Sequence, residues 1–166
     1  MANAIKDNGS AYSLVNGEAG AAYAWSMEGV ANGAGRVSVQ IDLGALPRGA
    51  EIDWTCEAQF QATPTQYKGI ELYAAGAPDD DATQIDGDVG NADAALGDVD
   101  MRHNLLGFGY VVSENAAASE LCVRSGTFRW KKRYISFVGY NESGATINAT
   151  DSNFVFKFRV LFPEVQ

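Results

Sequence analysis

The chain has 166 residues and a mass of 17.7 kDa, with 12 basic and 21 acidic side chains, a formal charge of -9 and a single histidine. At roughly 150 residues per domain the length fits one domain able to bury about two thirds of its unfolded surface, and 46% apolar residues exclude wholesale disorder. No apolar stretch approaches the roughly 18 residues of a membrane span, and the acidic balance argues against nucleic acid as the main partner, because phosphate binding relies on Lys and Arg displacing counterions.

The first 20 residues, MANAIKDNGSAYSLVNGEAG, are rich in Ala, Asn and Gly. They lack the cationic start and apolar run of a secretory signal, so synthesis and folding in a cytoplasm are expected. Ile5, Tyr12 and Leu14 are isolated apolar residues that cannot form a core themselves. Two readings stand: a disordered terminus, or an extended arm whose Ile5, Tyr12 and Leu14 order on a neighbouring subunit. Residues 21–166 are read as a single domain.

Strand patterns then dominate. Val37, Val39, Ile41 and Leu43 alternate with polar residues, predicting one half-buried strand closed by Gly44 and the turn Leu46-Pro47-Arg48-Gly49. Ile52, Trp54, Cys56, Ala58 and Phe60 repeat the alternation, and these two strands are expected to pair antiparallel. Gly69 to Ala74 predicts the next strand.

From Asp79 to Asp100 lie eight aspartates and no Lys, Arg or Glu, which leaves 13 acids against 12 bases in the rest of the chain. The acidity is local. A short helix is predicted near Asn91 to Leu96, with Asn91 as its cap, inside an otherwise long acidic loop. Asp86-Gly87-Asp88 resembles the opening of a calcium loop, making Asp86 and Asp88 the candidate metal ligands. The twelfth position is Gly97 in place of a bidentate Glu, so the competing reading is a solvated surface loop. No cofactor is expected.

Leu106 to Val112 and Leu121 to Arg124 predict further strands. A basic run follows, RSGTFRWKKR, in which Arg124, Arg129, Lys131, Lys132 and Arg133 carry five charges with no acid among them. With Phe128 and Trp130 interleaved it suits a polyanion or stacked bases. Strand alternation instead puts Phe128 and Trp130 in the core and Thr127, Arg129 and Lys131 outside, favouring docking against an acidic surface such as a neighbour's aspartate loop. Tyr134 to Tyr140 predicts a strand, and Tyr140-Asn141-Glu142-Ser143-Gly144-Ala145 a hairpin turn with Gly144 at positive φ, leading to a strand at Ala145 to Asn148. Phe154, Phe156, Phe158, Val160 and Phe162 line one face of the last strand. Each large side chain contributes about 1.5–3 kcal/mol when buried, so this strand is expected to be central.

Nine or so short strands with Gly, Asn and Pro between them predict an all-β fold, an antiparallel β-sandwich of jelly-roll-like or immunoglobulin-like kind. Cys56 and Cys122 are too few for a disulfide scaffold and read as buried free thiols. Catalysis finds little support. His103 is the only imidazole and no Gly-x-Ser-x-Gly elbow accompanies it; Asp53, Glu57 and Glu71 sit on strands, where a glycosidase pair could be sought, but outward-facing acids on strands are ordinary solvent contacts. The chain is therefore expected not to be an enzyme.

GIELYAAG, IDGDVGNADAAL, HNLLGFGYVV, FRWKKRYISFVGYNESG and a terminal LFPEVQ occur in order from about Gly69 to Gln166. On these segments the chain resembles a group of small bacteriophage virion proteins. The resemblance implies a phage structural protein. Its preferred form is a capsid decoration, or cement, protein on the outer surface of the virion, with the major capsid protein and further copies of itself, as a trimer, for partners. A tail, neck or fibre-associated component is the alternative from the same resemblance. A carbohydrate-binding module is a further alternative, for which Tyr23, Trp25, Trp54, Tyr67, Tyr73 and Trp130 are the candidate stacking platforms.

Overall fold

The computed structural model describes residues 5–14, 24–44, 49–78, 83, 85–118, 120–150 and 153–163, with the side chains of 5–14, 162 and 163 left out. Among the described residues ten strands form two antiparallel sheets. In the first, β1 (Ile5–Leu14) lies beside β10 (Phe154–Pro163), then β4 (Ala50–Ala58), then β8 (Cys122–Trp130). In the second, β6 (Ala94–Ala95), β2 (Ala34–Val37), β9 (Tyr134–Asn141), β5 (Gly69–Ala75) and β7 (Leu106–Val112) follow one another, and β3 (Ile41–Asp42) also pairs with β9.

Alternation decides which side chains meet between the sheets, because successive residues of a strand point to opposite faces. Ile52, Trp54 and Cys56 of β4 and Phe154, Phe156, Phe158 and Val160 of β10 face Ile70, Leu72 and Ala74 of β5 and Ile135 and Phe137 of β9. The all-β antiparallel sandwich is thus the fold, with β10 central to its core. Phe156 is the hub: its ring lies 4.7 Å from Phe137, 5.2 Å from Trp25 and 6.2 Å from Trp54.

The seam where β7 and β8 approach each other is fitted around one ring. A side chain at Gly109 of β7 or Gly126 of β8 would stand 2.6 or 3.0 Å from the Trp54 indole, so glycine at both positions is what admits it. In the β5–β7 ladder Leu72 pairs with Gly109 and Tyr73 with Gly107, leaving Phe108 as the extra residue of a bulge. The bulge re-aims Phe108, whose ring stacks on Phe128 at 4.5 Å.

Several local expectations are revised. The expected strand over 37–43 is two strands, because Ser38 is buried and its hydroxyl takes the Phe137 amide proton while donating to Val39 O. Neither piece pairs with β4: β2 and β3 lie on β9, whereas β4 lies between β10 and β8. The two strands expected at Leu121 to Arg124 and at Phe128 to Lys131 are one strand, β8. Gly144 has the expected positive φ of 85°, but the strand expected after it shrinks to a single bridge between Ile147 and Phe60. The helix expected at Asn91 to Leu96 is instead a bend leading into β6, whose Ala94 and Ala95 pair with Val37 and Arg36.

Cys56 and Cys122 are both free and buried. Cys56 is opposite Arg124 and Cys122 opposite Ala58, which makes the thiols diagonal neighbours on adjacent strands. Burial pushes Cys56 up, and Cys122 up to about 11, so both stay as thiols.

Candidate functional site

The outer faces of the two sheets differ. That of β2, β9 and β5 is covered by residues 85–105, which contain five of the eight loop aspartates. Val89 and Leu96 are buried against Val37, Ala75 and Val138, with Ile85, Val99, Met101 and Leu105 packed around them. The acidic segment is therefore a folded cover with its own small apolar layer.

Three ionic anchors hold it. Asp86 Oδ1 accepts from Lys132 Nζ at 2.5 Å and Oδ2 from the Gly76 amide at 3.1 Å. Asp93 accepts from Arg36 Nε at 2.7 Å, from the Ser26 amide and from the Ser26 hydroxyl. Arg102, 15% exposed, donates to Glu71 Oε2 at 3.1 Å and lies over the Tyr140 ring at 4.0 Å. Glu71 also accepts from the Tyr73 hydroxyl. Burial first, then that bond, pushes the hydroxyl up to about 12. Beside the cover, Tyr110 donates to Glu142 at 2.7 Å, and burial again raises the phenol.

The opposite outer face, on the first sheet, is open among the described residues. Its ladder sets out rows across three strands: Lys157, Thr55 and Ser125; Arg159, Asp53 and Thr127; Leu161, Glu51 and Arg129; Val155, Glu57 and Val123. Lys157, Arg159, Asp53 and Arg129 are exposed, and opposite charges face one another in two of the rows, an arrangement favourable across antiparallel strands. Val123 is 47% exposed, with Leu121 at 51% just before it.

The basic run is divided by this architecture. Arg129 belongs to the open face and Lys131 is exposed just beyond it. Lys132 is taken by Asp86 of the cover, Arg124 reaches Glu114 at 3.3 Å, and Arg133 makes a two-pronged contact with Asp42 at 2.8 and 2.7 Å. That contact holds the Asp42 carboxyl below its ordinary value; burial opposes it, and the Gly44 amide adds to the lowering. The acidic surface expected to receive this run lies in part within the same chain.

Of the metal candidates, Asp86 is engaged by Lys132 and Gly76, and Asp88 is exposed at φ 53°. Among the described residues no group of three or more His, Cys, Asp or Glu side chains is placed to hold a metal ion. Asp53 and Glu57 leave the first sheet while Glu71 leaves the far side of the second, so the sandwich separates the carboxylates considered as a hydrolytic pair. His103 is exposed in the helical turn Val99–Asn104. Of the stacking candidates, Trp25, Trp54 and Trp130 belong to the core, Tyr73 is half-buried, Tyr67 is 68% exposed, and Tyr23 lies outside the described residues.

Ile5, Tyr12 and Leu14, expected on an arm, lie in β1 opposite Pro163, Phe158 and Phe156 of the same chain. Their side chains, and residues 1–4 and 15–20 of the expected arm, lie outside the described residues. Sequence reasoning singled out neither Arg36 nor Arg102, and it did not assign Glu71 or Asp93 their part as anchors of the cover. No protein-family model matches the chain, and no curated protein sequence matches it.

Proposed function

We propose that the chain is a phage virion structural protein of the capsid decoration type, which binds the outside of the shell and holds adjacent capsid subunits together. The observation that carries the reading is the unequal treatment of the two outer faces. A sheet face left open across β10, β4 and β8, with paired charges in rows and apolar Val123 and Leu121 at one end, suits a broad protein contact with a polar rim. The covered face suits solvent, since its aspartates keep unassembled copies apart.

The segments that resemble phage virion proteins fall on β5, most of the cover, β7, the end of β8, β9 and the end of β10, which are scaffold elements. The partners in this reading are the major capsid protein and further copies of the chain, as a trimer. Repeated weak attachment at many lattice points gives high total affinity without any single strong contact.

The test is addition of the purified chain to undecorated heads of the same phage, followed by sedimentation and thermal melting of the heads. Saturable co-sedimentation and a raised melting temperature are expected. Reversal of the open face with Arg129→Glu and Lys157→Glu is expected to lower occupancy by about tenfold or more, as loss of charge complementarity at a contact does. Absence of binding to heads overturns the reading, and binding to tails alone moves the chain to a tail or neck position.

A further inference from the structure

We infer that the outer edge of β10 is a docking site for the N-terminal strand of a second copy of this chain, so that β1 is exchanged between copies. The inference is independent of capsid binding.

The first ground is how β1 is held. It is the outermost strand of its sheet, and its ladder partner is β10. The ladder comes in two short pieces, Ile5 to Asp7 on Pro163 to Leu161 and Ala11 to Leu14 on Arg159 to Phe156, with the register slipping between them. The slip falls on Asn8, Gly9 and Ser10; Asn and Gly are depleted in strands. A strand held in two interrupted pieces at a sheet edge opens more readily than one held continuously on both sides.

The second ground is the tether. Leu14 is opposite Phe156, and the Trp25 ring lies 5.2 Å from the ring of that same Phe156. The chain thus leaves β1 and re-enters the core beside one residue of β10. Ten residues, 15–24, lie between Leu14 and Trp25, and such a segment with its flanking bonds spans up to about 40 Å when extended. That reach exceeds the in-chain separation of two points that both lie beside Phe156.

The third ground is complementarity. Every copy carries both the strand and the edge that fits it, so passing β1 to a neighbour re-forms the same main-chain bonds. An edge vacated by its own strand presents a row of unpaired N–H and C=O groups that favours recapture. Reciprocal passing closes a two-fold pair, and passing in one direction closes a ring.

The test uses register partners. Ser13→Cys and Lys157→Cys are placed in separate full-length chains, which are co-expressed, purified and oxidised. A disulfide-linked pair of chains is expected on a non-reducing gel, about tenfold above a control pairing Ser13→Cys with Thr127→Cys on β8, the excess a tethered strand produces. Ala11→Cys with Arg159→Cys repeats the measurement at a second register pair, should Lys157→Cys disturb folding. The inference is overturned if separate chains give no linked pair while Ser13→Cys and Lys157→Cys in one chain close on themselves. Because the free protein is used, that result leaves the head-binding assay to decide the function separately.

Discussion

Between the sheets the protein packs aromatic rings and aliphatic chains against one another, while beneath the acidic cover it combines a few small apolar side chains with ionic anchors at three points. Phe156, Phe158, Phe137 and Trp25 are each 2% exposed or less, and burial of that kind is nondirectional and additive over area. Within the covering segment only Val89 and Leu96 are buried apolar residues, at 9% and 8% exposure, so Asp86, Asp93 and Arg102 fix its position by geometry. The interior supplies stability, and the cover is held in register. The two layers are therefore expected to open separately, the cover as a low-stability unit and the interior with global unfolding.

The largest effect is expected at the interior. Phe156→Ala removes the hub ring and is expected to destabilise the whole domain by about 3–5 kcal/mol, seen as a lower denaturant midpoint with every probe in step. Leu96→Ala is expected to cost about 2 kcal/mol but to act locally, speeding amide exchange over 85–105 while β4 and β10 keep their protection. If exchange in β4 rises equally, the two layers are one cooperative unit and the comparison fails. Asp93→Ala removes the carboxylate to which the Ser26 amide and Arg36 donate and is expected to cost about 1–2 kcal/mol, again confined to the cover.

A pH experiment separates the layers further. Tyr73 stays protonated up to about 12 in the folded chain, while in the unfolded chain it ionises near 10. Its folded value is raised, so the associated stability is complete below about pH 10 and is lost as pH climbs towards 12. Denaturant midpoints measured across that range should fall, less steeply in Tyr73→Phe. A midpoint independent of pH would remove the phenol from the account. The smallest effect is expected outside both layers: the Asp42–Arg133 pair is exposed, and Asp42→Asn should change stability by less than about 0.5 kcal/mol.

Much of this was legible in the residues. In β4 and β10, Ile52-x-Trp54-x-Cys56 and Phe154-x-Phe156-x-Phe158 report one buried face and one open face, and the structure keeps both reports. The cover was not legible: Ile135, Ser136, Phe137, Val138 and Gly139 are buried without a break because both faces of β9 are covered, but in the sequence Ser136 and Gly139 interrupt the apolar run. Other features lay beyond local pattern. Ser38 looks like an outward strand residue until its hydroxyl is seen replacing a backbone acceptor. Gly126 looks like a turn until Trp54 is placed against it. The pairing of β4 with β10 joins residues about a hundred apart, which no adjacent turn announces. For the site, the clusters of opposite charge were visible as clusters, but that Lys132 meets Asp86 within one chain depends on the path of the fold.

The pairing of β1 with β10 also has a mechanical meaning. Ile5 lies opposite Pro163, so the first and last described residues of the pair sit side by side at the same end of an antiparallel ladder. Tension applied between those two ends pulls across the ladder and breaks its bonds one after another, as a zipper opens, whereas tension along a strand would load them together. Load applied between Ile5 and Pro163 is therefore expected to open the β1–β10 ladder strand from strand before the layers of the core part.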